Sequence, residues 1–311
     1  MNKEKNFISA VIYVHNAADR IGEFLTTIVN IFEENFEHSE IICVNDRSDD
    51  SSAEIIRNVS NVAKTISISL LNMSYYHGIE AAMNAGVELS IGDFVFEFDS
   101  TFMDYDKVEI MNVYRHSLKG YDIVSASPDK KQKISSSFFY WIYNKSTTLK
   151  QDISTNSFRI LSRRALNRIS NINKSTPYRK AVYSTCGLKA DNIIYKCICA
   201  KKSTIAKQEK SYRSRLAIDA LMLFTDFGYK ISFTLTVFMM AVAVAMGIYS
   251  LVTFVFGNPI EGWTTTVLFL AFGFFGLFAI LTFIVKYLQV IVNLIFKRKA
   301  YSFEGLEKLT K

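Results

Sequence analysis

Four apolar runs, each stopping on polar or acidic residues and most leading into a helix-period segment, constrain this chain more than any other feature. Phe7 to Val14 is β-rich and ends at His15-Asn16-Ala17-Ala18-Asp19, ahead of the helical period of Ile21 to Phe32. Glu40 to Val44 stops at Asn45-Asp46-Arg47-Ser48-Asp49-Asp50 and gives way to a helical Ala53 to Val62. Thr65 to Leu70 precedes the Ala- and Met-rich helix of His77 to Leu89, Phe94 to Phe98 is the fourth run, and Tyr121 to Ala126 supplies a further strand. Strands alternating with helices at this spacing predict βαβ units and a doubly wound, largely parallel sheet. Ligands of such sheets bind in the crevice beyond the carboxyl ends of the strands.

The fourth run reads Gly92-Asp93-Phe94-Val95-Phe96-Glu97-Phe98-Asp99 and continues to Asp104. It has the look of a buried parallel strand that delivers the Asp99 carboxylate to the sheet's carboxyl edge. Together Glu97, Asp99 and Asp104 could hold a hard cation with its phosphates. The alternative is that Asp99 caps the next helix and Glu97 is an edge charge. Strand alternation puts Glu97 and Asp99 on one side with Cβ atoms about 7 Å apart, from two rises of about 3.3 Å. Glu97 sits further back under the sheet, so pairing with a basic residue competes with metal ligation there, and Asp104 is the more accessible acid.

Half of the residues are hydrophobic, and the excess gathers at one end of the 311-residue chain. No charged residue occurs from Ile231 to Ile260 or from Gly262 to Val285. Each run exceeds the roughly 20 apolar residues that span a bilayer, and Gly257 to Gly262 is the turn between them. Lys230 precedes the first span and Lys286, Lys297, Arg298 and Lys299 follow the second, so the positive-inside rule places both ends in the cytoplasm. Lys286 reads as a side chain snorkelling at the inner surface. Ahead of the spans, Leu216, Ala220, Leu223, Phe224 and Phe227 share one helical face; an interfacial helix and a core-packed helix fit that pattern equally. The expected division is therefore a domain over 1–210, a juxtamembrane amphipathic helix over 211–229, two transmembrane helices over 230–296 and a cytoplasmic tail over 297–311. No cleaved targeting peptide is expected ahead of the first strand.

Net charge is +7, with cationic clusters at Arg159 to Arg168, Arg179 to Lys180 and Lys196 to Arg215. These favour phosphate-bearing partners and anionic lipid; no nucleic-acid-binding motif accompanies them. Cys43, Cys186, Cys197 and Cys199 have neither zinc-site nor disulfide-framework spacing, so reduced thiols are expected.

Five segments in order, Tyr13-Val14-His15-Asn16, Val44 to Asp50, Glu80 to Gly86, Gly92-Asp93 leading to Asp99, and Ser157-Phe158-Arg159-Ile160-Leu161-Ser162-Arg163-Arg164, resemble the family 2 inverting glycosyltransferases. The last segment is similar to that of the polyprenyl-phosphate glycosyltransferases, and Leu216 to Ala220, Phe224 to Asp226 and Lys286 to Tyr301 extend the likeness through the apolar region. The resemblance implies a GT-A type α/β nucleotide-sugar domain followed by two transmembrane helices. It implies an enzyme that moves a sugar from a nucleoside diphosphate sugar to a polyprenyl phosphate with a divalent cation, Mg or Mn, at the cell membrane, for cell-envelope polysaccharide or glycan modification. Carried over residue by residue, it makes Asp99, Asp104 and Arg159 catalytic, and His15, Asn16, Asp46 and Asp99 donor-binding. The acceptor phosphate falls to Arg159, Lys210 and Arg213, and the metal to Asp99, Asp104 and Glu97. Arg163 and Arg164 are read as an exposed helix start without a catalytic role.

Three departures from the family pattern bear on chemistry. Thr101 stands where a second metal-binding acid is expected, Asn45 and Arg47 replace an acid and a glycine, and Ser157 replaces an Asp. A degenerate member serving as a noncatalytic binding or regulatory membrane protein is the alternative. Against it, a phosphate monoester has a second pKa of about 6 and is already nucleophilic at neutral pH, so the acceptor needs no general base. Oligomeric state is left open, a homo-oligomer included.

Overall fold

The computed structural model describes residues 3–63, 65–129, 156–172, 178–198, 263–296 and 303–310, with single helical positions between 216 and 245. Two compact units divide the chain: Met1–Asn144, Leu149–Leu216 and Arg298–Lys311 form the first, and Lys145–Thr148 with Ala217–Lys297 the second.

In the first unit β1 (Ile8–Val14), α1 (Ile21–Asn35), β2 (Ser39–Asn45), α2 (Ser52–Ser60), β3 (Ser67–Met73), α3 (Ile79–Leu89) and β4 (Phe94–Phe98) follow the predicted alternation. Then come α4 (Val108–Ser117), β5 (Ile123–Pro128), β6 (Phe158–Ser162), α5 (Arg163–Ile172), α6 (Arg179–Thr185), β7 (Ala190–Tyr195) and, at the end of the chain, β8 (Phe303–Lys308). The described strands form one sheet in the order β7-β5-β6-β4-β1-β2-β3-β8. β1 pairs in parallel with β2 and β4, β2 with β3, and β5 with β7. β6 runs antiparallel to both β4 and β5, and β8 antiparallel to β3.

Side-chain alternation gives the two faces of this sheet different tasks. Ile8, Ala10, Ile12 and Val14 of β1, Ile41 and Cys43 of β2, and Phe96 and Phe98 of β4 join the apolar stripe of α1, Ile21, Phe24, Leu25, Ile28 and Phe32, in the main core. Burial there pushes the Cys43 thiol up to about 12, so it stays protonated and inert. Val11 and Val44 point the other way, toward α3, and Glu97 of β4 is in register with Val11. The α3 face therefore carries the one acid embedded in β4.

Gly86 sets how closely α3 approaches. A Cβ there would lie 2.5 Å from Val11 Cγ1 and 2.6 Å from Val44 Cγ2, both branched side chains fixed by the strands. Gly86→Ala is expected to cost about 1–3 kcal/mol by overpacking, read as a lower melting midpoint. An unchanged midpoint would mean that α3 can lift from the sheet freely.

The sequence assigns 297–311 to a tail, but β8 closes the β3 edge of the sheet. Arg57 Nε and Nη2 donate to Glu307 at 2.9 and 2.8 Å, Asn72 Nδ2 donates to Glu307 Oε1 at 2.9 Å, and the Ile68 N–H donates to Thr310 Oγ1 at 2.7 Å. Arg57 and Glu307 are exposed, so that pair adds little. Ladder pairing along a bare strand edge is the larger reason for β8 to dock.

In the second unit α7 (Trp263–Phe296) runs for 34 residues with Lys286 its one charged side chain. Lys286 Nζ lies 2.9 Å from Asp219 Oδ1, an ion pair where the sequence suggests snorkelling. Among the residues described in full, no helix is long and apolar enough to cross a membrane. The predicted span from Ile231 to Ile260, the turn after it and the juxtamembrane helix lie largely outside the described residues.

Candidate active site

Two loops at the carboxyl ends of β1 and β2 are knitted into one surface. His15 Nδ1 lies 2.7 Å from the Asp46 carbonyl oxygen, and the Asn16 N–H donates to Ser48 Oγ at 3.1 Å. The Asp49 N–H donates to Asn16 Oδ1 at 2.9 Å, and the Ala17 and Ala18 N–H groups donate to Ser52 Oγ and Asp50 Oδ2, each at 2.9 Å. Asn16 and Arg47 both adopt left-handed backbone, at φ +47° and +54°. An asparagine tolerates that region; an arginine there stores roughly 1–2 kcal/mol of strain. Arg47 thus sets an exposed cation on a left-handed backbone position.

Asp46 is wholly buried beneath these loops. Its carboxylate accepts from the Tyr13 hydroxyl at 3.0 Å and from the His77 and Gly78 N–H groups at 2.8 and 2.9 Å. Gly78, at φ +84°, turns the chain into α3. Asp46 is a brace for the loop entering α3, and its oxygens face inward.

Beside this surface lies a buried charge network. The Arg179 N–H and Nε donate to Glu80 Oε2 at 2.9 and 3.0 Å, Nη1 to Glu97 Oε2 at 2.8 Å, and Nη2 to Asp99 Oδ1 at 2.6 Å. Arg159, opposite Glu97 in the β4–β6 ladder, brings Nη1 to 3.2 Å from Glu97 Oε2 and donates Nη2 to Asp99 Oδ2. Tyr183 on α6 donates its hydroxyl to Glu97 Oε1 at 2.6 Å, and its ring centroid lies 5.5 Å from the Arg159 guanidinium carbon. Both arginine side chains are 1% exposed, Glu97 is fully buried, and Asp99 at 16% is the most open member. Burial alone would raise the Asp99 pKa; the Arg159 and Arg179 guanidiniums, with Lys180, override it and hold the carboxyl well below the usual range. Burial and the neighbouring Glu97 push the Tyr183 phenol well up, so it serves as a donor.

A third constellation surrounds Asp104. Tyr195 donates its hydroxyl to Asp104 Oδ1 at 2.7 Å, Ser157 Oγ lies 3.4 Å from the same oxygen and bonds the Tyr195 hydroxyl, and Cys197 Sγ is 3.6 Å from Asp104 Oδ2. The acid absent at 157 thus has a carboxylate beside it, contributed from the segment after β4.

The family model described as Glycosyl transferase family 2 matches residues 9–182, which include both loops and the buried charge network. The chain belongs to glycosyl transferase family 2. It is a glycosyltransferase with the GT-A type α/β fold. Among its relatives, the bactoprenol glucosyl transferase of Shigella phage SfV is 25% identical over 272 residues, 85% of this chain and 87% of that one. An undecaprenyl-phosphate 4-deoxy-4-formamido-L-arabinose transferase of Aeromonas hydrophila is 29% identical over 42% of this chain and 40% of its own. The mannosyltransferase PcManGT of Pyrobaculum calidifontis, solved with GDP-Man and Mn2+, superposes over 94% of this chain and 88% of its own with a TM-score of 0.50 at 14% identity.

The metal set expected of this family 2 member, Asp99, Asp104 and Glu97, is not assembled. Glu97 lies between two arginines and a tyrosine, Asp99 has a guanidinium on each oxygen, Asp104 accepts from Tyr195, and Thr101 is a buried neutral side chain. Among the described residues no three His, Cys, Asp or Glu side chains are arranged to hold a metal. For Glu97 the pairing alternative prevails, because an acid inside an otherwise apolar strand must be compensated. Arg159, the expected acceptor ligand, sits within this network, though its Nε has no hydrogen-bond partner. Lys210 and Arg213 lie outside the described residues. Arg163 is tied to the Gly92 carbonyl at 2.7 and 2.9 Å and Arg164 to Asp122 at 2.6 and 2.8 Å, so both fasten α5 rather than touch the site. Sequence reasoning missed Glu80, Arg179, Tyr183 and Tyr195. One signal existed: Glu97 within an apolar run calls for a buried cation.

Proposed function

We propose that this glycosyltransferase transfers a sugar, with inversion, from a nucleoside diphosphate sugar to a polyprenyl phosphate, and that it is anchored in the cell membrane with its catalytic unit and C-terminus on the cytoplasmic side. The observation that carries this reading is the length of the likeness to the bactoprenol glucosyl transferase: 272 aligned residues extend well past the family match at 182, into the apolar segment. An acceptor phosphate oxygen attacks the anomeric carbon, the bond from that carbon to the diphosphate breaks, and the nucleoside diphosphate departs with the electron pair. The phosphate is the nucleophile without a general base, which suits a site with serine at 157. Arg159 attracts the acceptor phosphate from within the buried network in this reading, and the β1 and β2 loops with His15 and Asn16 hold the donor. β8 and β1 share one sheet, so the chain leaves the first unit at Leu216 and returns at Arg298. Departure and return on one side of a membrane need an even number of crossings, and the two uncharged runs from Ile231 to Ile260 and from Gly262 to Val285 are the sequence segments proposed to make them.

A second reading, a noncatalytic member that binds a partner, draws on the double guanidinium clamp on Asp99. One experiment separates them: sealed membrane vesicles containing the full chain and undecaprenyl phosphate are given a panel of radiolabelled nucleotide sugars. Labelled lipid is expected in inverted vesicles and not in right-side-out ones. Labelled lipid in neither, with the protein folded, would favour the noncatalytic reading; label in right-side-out vesicles alone would reverse the topology.

A further inference from the structure

We propose that the donor diphosphate binds at the Asp99 edge without a divalent cation, because the carboxylates that a metal would bridge are already neutralised by buried arginines. This rests on the nucleotide-sugar reading above and goes beyond it. A metal that bridges carboxylate and diphosphate needs carboxylate oxygens free to ligate it. Asp99 Oδ1 faces Arg179 Nη2 at 2.6 Å and Oδ2 faces Arg159 Nη2. Glu97 Oε1 faces the Tyr183 hydroxyl at 2.6 Å and Oε2 lies within 2.8 Å of Arg179 Nη1 and 3.2 Å of Arg159 Nη1. Glu80 Oε2 accepts twice from Arg179. Thr101, where a further acid is expected, is neutral.

Charge balance points the same way. Glu80, Glu97 and Asp99 carry three negative charges; Arg159 and Arg179, with Lys180 acting on Asp99, carry three positive ones. A divalent ion at Asp99 would approach two guanidiniums held in place by burial. A diphosphate reaching this edge meets a neutralised carboxylate instead of a bare one, so it needs no bridging ion. Arg47 adds a cation at the same edge of the sheet, exposed in a left-handed turn at the end of β2 and without an ion-pair partner among the described residues.

The test uses the full chain in detergent, with UDP and GDP as separate probes in calorimetry, once in EDTA and once in Mn2+. Binding of at least one nucleotide is expected in both, with affinities within about threefold of each other. Electron paramagnetic resonance of Mn2+ with the protein alone is expected to show free ion only. A loss of about tenfold or more in EDTA, or a protein-bound Mn2+ signal abolished by Asp99→Asn, would overturn the proposal while leaving the donor site standing. Absence of binding in both conditions would remove the donor site itself, and the proposal with it.

Discussion

Arg179→Met is expected to destabilise the first unit by about 3–5 kcal/mol, the range seen when one partner of a buried ion network is removed. For a unit of this size that is a fall of about 6–20 °C in melting midpoint. Arg179 is the hub: its guanidinium and N–H reach Glu80, Glu97 and Asp99, and the substitution leaves Arg159 as the one guanidinium facing Glu97 and Asp99 and removes the guanidinium from Glu80. Methionine fills much of the volume, so the loss reports charge more than cavity. The control is Arg57→Met, whose guanidinium and Glu307 partner are both largely exposed and whose removal should barely move the midpoint. The pH dependence follows from Asp99. Its folded pKa lies below the unfolded value, so its contribution is complete above the ordinary carboxylate range and is lost as pH falls through the depressed folded value. Without Arg179 that depression shrinks, and the difference between wild type and variant should narrow as pH drops below about 4. Equal melting of wild type and Arg179→Met at neutral pH would show that the network is not a structural element.

The parts of this fold that were legible in the sequence are those where local pattern and tertiary role coincide. β1 to β4 each carry an apolar run with a polar stop, and α1 repeats its buried residues every three or four positions, so their order was readable. β6 was not, because Phe158 to Ser162 acquires its strand character by pairing antiparallel between β4 and β5. β8 was less legible still: Phe-Glu-Gly-Leu-Glu-Lys has weak strand propensity, and the β3 edge far away in sequence makes it a strand. In the site, Asp99 and Glu97 were found as acids on one side of a strand, and they do meet the same guanidinium. Their shared partners were hidden because a sequence with cations at both 159 and 179 does not say that both turn inward. The same arginines that read as phosphate-binding surface are among the most deeply buried side chains in the unit.

Asp46→Ala is expected to lower stability by about 3–5 kcal/mol and to weaken nucleotide binding by at least about tenfold in the same protein. The fully buried carboxylate satisfies the Tyr13 hydroxyl and the His77 and Gly78 N–H groups, and alanine leaves all three donors without it. Buried donors left unpaired cost about 1–3 kcal/mol each, and bonds to an ionised acceptor stand at the upper end of that range. The damage spreads to the crevice because the Asp46 carbonyl also holds His15, and the left-handed Arg47 follows directly. Asp46→Asn discriminates further. One amide oxygen can still accept the His77 N–H, but the NH2 group then faces the Gly78 N–H, so only partial recovery is expected. Circular dichroism melts and nucleotide calorimetry on the three proteins decide the role. Parallel losses, graded from Asn to Ala, identify a brace that shapes the donor surface from below; lost binding with an unchanged melting midpoint would instead make Asp46 a direct ligand of the donor and would overturn the brace.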